Sequence, residues 1–110
     1  MPLIERHGTI TVLRPSGPVR CDTVSPLNEM VSSHLGGGVP LMVIDFSAAP
    51  LIDGAGLEWL LCLSENISRR GGCMRICGVN ELCSDLLRIT GVGDRIETLP
   101  DLTSALGSFA

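Results

Sequence analysis

Leu3–His7 and Thr9–Arg14 flank Gly8, and in the second run Ile10 and Val12, with Arg14, alternate with Thr11 and Leu13. That period of two predicts a pair of strands with Gly8 at their turn. Pro15-Ser16-Gly17-Pro18 breaks the second strand or turns it at an edge, since Pro cannot donate to a ladder. Helical spacing begins near Thr23 and runs to about Leu35, placing Leu27, Met30, Val31 and Leu35 on one face. Asp22 or Ser25 is its cap, Pro26 is tolerated only in its first turn, and Gly36-Gly37-Gly38 ends it. Leu41–Phe46 is a continuous apolar run, the mark of a strand buried on both faces.

The second half repeats the alternation. A helix is predicted from about Ala55 to Arg70, capped by Asp53 or Gly54 and stopped by Gly71-Gly72. At 100° per residue its inward face carries Leu57, Leu60, Ser64, Ile67 and Ser68. Glu58, Cys62, Glu65 and Arg69 fall on the outward face, with Trp59 near it. Cys73–Cys77 is a short strand. A third helix spans about Glu81–Thr90, capped by Asn80, with Leu82, Leu86 and Ile89 inward and Gly91 just past its end. A strand at Arg95–Leu99 leads to a last helix that starts at Pro100 and lines one side with Leu102, Leu106 and Phe109.

The order β-β-α-β-α-β-α-β-α predicts an α/β fold. Strands alternating with helices require crossovers, so the later strands are parallel, and the opening hairpin makes the sheet mixed. The expectation is one domain over residues 1–110, with a mixed four- to five-stranded sheet and about four helices.

Composition narrows the function classes. The apolar fraction of 45% excludes a disordered chain. A net charge of -4 lacks the basic face of a nucleic-acid binder. Cysteines at 21, 62, 73, 77 and 83 fit no zinc-site spacing and are expected to be buried reduced thiols, implying a reducing cytosol. Cys62, on the outward arc, is the best candidate for a reactive thiol. No signal peptide or membrane-length apolar run is visible, so a soluble cytoplasmic protein is expected. His7 and His34 have no nucleophile partner at a motif spacing. Gly36-Gly37-Gly38 lacks the Lys-Ser/Thr of a phosphate loop. Gly54-Ala55-Gly56 reaches Trp59 where a dinucleotide turn needs its third Gly. The expectation is a protein that is not an enzyme and carries no cofactor or metal.

Three segments together carry a family likeness. Val43-Ile44-Asp45-Phe46 is followed at a fixed interval by Ile52-Asp53-Gly54-Ala55-Gly56-Leu57. Arg70-Gly71-Gly72-Cys73-Met74-Arg75-Ile76-Cys77-Gly78-Val79 and Leu86-Leu87-Arg88-Ile89-Thr90-Gly91-Val92 follow in order. Across nearly the whole chain this resembles the STAS domain family, the anti-sigma factor antagonists of bacteria. In that family the turn usually reads Asp-Ser-Ser-Gly-Leu or Asp-Thr-Ser-Gly-Leu, and a kinase phosphorylates a hydroxyl in it. Here Asp53 matches the family Asp, while Gly54 and Ala55 hold the two hydroxyl positions, Ala55 falling on the usual acceptor. Ser47, Ser64 and Ser68 lie outside the motif spacing.

The resemblance implies partner switching in transcription regulation. The unmodified turn binds an anti-sigma factor with a kinase-type ATP-binding fold, and phosphate at the helix N-terminus blocks docking by bulk and charge. Without an acceptor, the chain is expected to bind its partner without that control. Asp53, Gly54, Ala55, Gly56, Glu58 and Trp59 are the predicted partner-facing patch, Trp being enriched at interface hot spots. The alternative for Trp59 is packing at the edge against a neighbouring helix or loop. Alternative functions are an accessory subunit of a membrane lipid-transport ATPase complex and a small-ligand-binding STAS domain. Partner identity and oligomeric state are not set by the sequence.

Overall fold

The computed structural model describes residues 2–36 and 38–109. Gly37, within the glycine run expected to end the first helix, lies outside the described residues. The order is β1 (Leu3–His7), β2 (Ile10–Arg14), α1 (Val24–His34), β3 (Leu41–Asp45), α2 (Gly54–Arg69), β4 (Cys73–Cys77), α3 (Glu81–Thr90), a short 3₁₀ turn (Val92–Asp94), β5 (Glu97–Leu99) and α4 (Leu102–Gly107). The five strands form one mixed sheet in the order β1-β2-β3-β4-β5. β1 and β2 are antiparallel, with Glu5 opposite Val12, and every later pair is parallel. The architecture matches the predicted α/β order.

Strand alternation divides the core into two layers. Leu13, Met42, Ile44, Met74 and Ile76 point to one face, where α1, α2 and α3 cover them. Val12, Val43 and Cys77 point to the other, where α4 covers them with Ala105 and, at its edges, Leu102, Leu106 and Phe109. Arg75 holds down the segment that follows α4: its guanidinium lies 4.3 Å from the centre of the Phe109 ring, and its Nε donates to Glu97 Oε2 at 2.9 Å.

Several expectations at element ends and faces are corrected. α1 is capped by Thr23, not Asp22 or Ser25, and without a side-chain bond to the helix. The Thr23 hydroxyl instead accepts from Arg20 N–H at 2.9 Å and lies 3.0 Å from Pro18 O. The last helix begins one residue after its cap, Asp101, so Pro100 stands before the helix. α3 is turned about its axis relative to the predicted face. Cys83 and Leu87 are buried, while Leu82 and Ile89 are 53% and 73% exposed. Only the Cys83–Leu87 edge of the apolar arc of α3 is covered, on the face of the sheet that α3 shares with α1 and α2. Of the cysteines, Cys77 and Cys83 are buried as expected, Cys73 is half-buried, Cys21 is exposed against the expectation of burial, and Cys62 is exposed as its place on the outward arc predicts.

Candidate functional site

The turn at the start of α2 is built by local chemistry and then anchored by a distant segment. Asp53 has extended backbone (φ -98°, ψ -175°), and its Oδ1 accepts from Gly56 N–H at 2.9 Å. This satisfies one of the amides a helix start leaves open. Leu57 N–H reaches Asp53 O at 2.9 Å. Asp53 Oδ2 also accepts from Cys21 N–H at 3.2 Å. Around that bond the Val19 segment lies along the loop before α2: Val19 N–H donates to Leu51 O at 2.8 Å and Asp53 N–H to Val19 O at 3.1 Å. One carboxylate therefore caps α2 and ties it to the segment that leads into α1.

Gly56 is required by this contact. A Cβ there would stand 2.5 Å from Val19 O and 2.8 Å from Ile52 Cγ2. Close packing on the Val19 backbone is what leaves no room for a side chain. Gly54 is the opposite case: a Cβ would meet nothing within 4 Å. The turn thus presents exposed Gly54 and half-buried Ala55 on a rigid base.

Glu58 is exposed one turn further on, with Cys62, Glu65 and Arg69 along the same outward arc, as predicted. Trp59 is not on that arc. It is 6% exposed, and its indole Nε1 donates to Asn28 Oδ1 on α1 at 3.1 Å. The outward placement of Trp59 is corrected to the edge-packing alternative. Leu63, left off the predicted inward face, is also buried, whereas Ser68 is exposed. Asp53, Gly54, Ala55, Gly56 and Glu58 are contiguous at the helix start, and Trp59 lies beneath them between α1 and α2. A groove of about 490 Å³ runs along that seam and is lined by Ala55, Glu58, Trp59 and Cys62 on one side and by Asn28 and Glu29 on the other.

A second polar cluster sits at the ends of the central strands. Asp45 is 3% exposed, accepts from Ser47 N–H at 2.9 Å, and accepts from Arg14 Nε at 3.0 Å. Burial pushes the Cys77 thiol up to about 12, and the charges of Asp45 and Asp101 push the same way. Gly78 takes φ +71°, and a Cβ on it would stand 2.7 Å from Asp45 Oδ1. The cluster closes the strand ends. The histidines are apart from both sites: His7 lies 2.9 Å from Glu5 Oε1, and His34 Nδ1 lies 2.8 Å from Met30 O.

A family model described as STAS domain matches residues 1–105. The chain belongs to the STAS domain family. The STAS fold of this chain is shared by an anti-sigma factor antagonist from Mycobacterium paratuberculosis, with 23% identity, a TM-score of 0.87, and 98% of this chain and 92% of that one covered. It is shared by an anti-sigma-factor antagonist (STAS) domain protein from Planctomyces limnophilus, with 17% identity, a TM-score of 0.87, and coverage of 97% and 96%. A sulfate transporter family protein from Wolinella succinogenes is similar at 17% identity and a TM-score of 0.80, with coverage of 91% and 84%. No curated protein sequence matches the chain. Among the described residues no helix is long and apolar enough to cross a membrane.

The STAS turn also shows what sequence reasoning missed. Val19, Cys21 and Asn28 hold Asp53, Gly56 and Trp59 in place, yet each is about thirty residues away in the chain. A STAS motif search looks within the turn, and nothing in the spacing of Pro15–Pro18 says that the next residue returns to Ile52.

Proposed function

We propose that this STAS domain is a non-catalytic docking module that binds a protein partner through the start of α2, without phosphate control at the usual site. The supporting observation is the form of that turn: a surface of Gly54, Ala55 and Glu58 without a hydroxyl at either motif position, on a base fixed by Asp53 and Gly56. A rigid helix start that carries only Gly54 and Ala55 at its tip is what a partner backbone can approach closely. The partner favoured by the likeness to anti-sigma factor antagonists is an anti-sigma factor of the kinase-type ATP-binding fold, and the setting is bacterial and cytoplasmic.

The test is titration calorimetry with a purified anti-sigma factor from the same genome. The unmodified chain is expected to bind, and Ala55→Glu, which places a negative charge where a phosphate stands in phosphorylated relatives, is expected to weaken binding at least tenfold. Incubation with ATP is expected to leave the α2 turn unmodified. Equal affinity of the two forms would overturn the reading.

The structural likeness to a sulfate transporter family protein supports a second reading, docking on a membrane transport complex. One form of it is an accessory role beside a lipid-transport ATPase. Co-purification with transporter subunits, unaffected by an added anti-sigma factor, would favour it.

A further inference from the structure

We infer that the groove between α1 and α2 receives a positively charged side chain, Arg or Lys, from the docked protein; this rests on the docking reading above and specifies the partner's chemistry. The groove begins at Ala55, so it is continuous with the turn. Its floor is Trp59 and Leu63, each 6% exposed. The indole is held by its bond to Asn28 Oδ1, so the aromatic surface is fixed in place before anything binds. Glu29 on α1 and Glu58 on α2 stand at opposite walls, and both are exposed.

Charge selects the occupant. Neither Glu29 nor Glu58 forms an ion pair among the described residues, and no basic residue lines the groove. The nearest arginines in sequence are engaged elsewhere: Arg20 pairs with Asp22 and Arg69 with Glu65. Two carboxylates facing one space repel each other, and a cation between them turns repulsion into attraction. Arg and Lys suit such a site because their stems lie on apolar surface while the charge stays at the rim. The same rim repels phosphate, so a nucleic acid or an anionic lipid surface is disfavoured here.

Cys62 lines the groove and provides a built-in reporter. The folded protein is treated at low salt with equal, limiting amounts of cystamine and 2-hydroxyethyl disulfide, which are cationic and neutral and of similar reach. The Cys62 thiolate attacks one reagent sulfur, forming a mixed disulfide and releasing the other half as a thiol. Mass spectrometry of the Cys62 peptide gives the ratio of the two adducts. Cystamine releases the more acidic thiol and reacts faster with any thiolate, so the ratio at Cys62 is divided by the ratio found at Cys62 in the urea-unfolded protein; this quotient is expected to be about three- to fivefold, the range of an exposed ion pair. That quotient is expected to shrink toward unity in Glu29→Gln, which is on the facing helix, and in half-molar salt. A quotient of one, a quotient unchanged by Glu29→Gln, or no reaction of Cys62 would each overturn the inference. None of these results touches the Ala55→Glu experiment, so failure here and failure of the docking reading are separable.

Discussion

Arg14 Nε donates to Asp45 Oδ2 at 3.0 Å, joining the ends of β2 and β3 on the face that carries α4. The Asp45 side chain is 4% exposed and that of Arg14 36%. Removing Arg14 would leave a buried carboxylate without its cation, with the Ser47 amide and the Cys77 thiol as remaining donors. Arg14→Met is expected to cost about 2 kcal/mol, less than fully buried pairs lose because water reaches the guanidinium side. Asp45→Asn keeps the shape and an acceptor, and about 1 kcal/mol is expected. Urea unfolding at neutral pH measures both. A cost near zero for Arg14→Met would show that water replaces the guanidinium.

Gly54 and Gly56 are expected to respond to alanine with opposite signs. Gly54→Ala adds a methyl in open space, and the reduced freedom of the unfolded chain is worth about 0.5 kcal/mol of stability. Gly56→Ala drives a methyl against the Val19 carbonyl, a backbone atom that cannot swing aside. It is expected to destabilise by about 2 kcal/mol, overpacking outweighing the gain in helix propensity. Thermal melts of the two variants side by side decide it.

Asp53→Ala removes the bonds to Gly56 N–H and Cys21 N–H together. A lost cap alone costs about 1 kcal/mol, and loss of the second bond brings the expected total to about 2 kcal/mol. Amide exchange should then quicken at Cys21 as well as at Gly56. Faster exchange at Gly56 alone would mean that the Val19 segment holds its place without the carboxylate.

Alkaline pH should unfold this protein through its thiols. The chain has neither Lys nor Tyr, so cysteines dominate the side-chain titration above pH 8. Cys77 is raised from 9.0 to about 12 by burial and by Asp45 and Asp101. In the unfolded chain it loses its proton near 9, while the folded protein keeps it. The unfolded state then binds fewer protons, and stability falls as pH rises from about 9 to about 12. Below 9 the contribution is fully present. Cys77→Ala should flatten the urea midpoint against pH in this window. In the folded protein at pH 8, a thiol reagent should label Cys21 and Cys62 quickly and Cys77 and Cys83 only on unfolding.

The sequence by itself determined the order of elements, the mixed sheet and the STAS motif spacing. It also determined the cap Asn80, whose side chain accepts from Cys83 N–H, and narrowed the cap of α2 to Asp53 or Gly54, of which Asp53 accepts from Gly56 N–H. These features depend on hydrogen bonds within four residues and on hydrophobic period, both written locally in the chain. The tertiary structure alone decided which side of each helix the sheet covers. Trp59 turned inward because α1 offered Asn28 Oδ1 and apolar surface beside it. Leu82 and Ile89 turned outward because α3 shares its side of the sheet with two other helices. Rotation of a helix about its axis is a competition for a finite apolar area. Its outcome depends on partners tens of residues away, and the periodicity of a single segment contains no record of them.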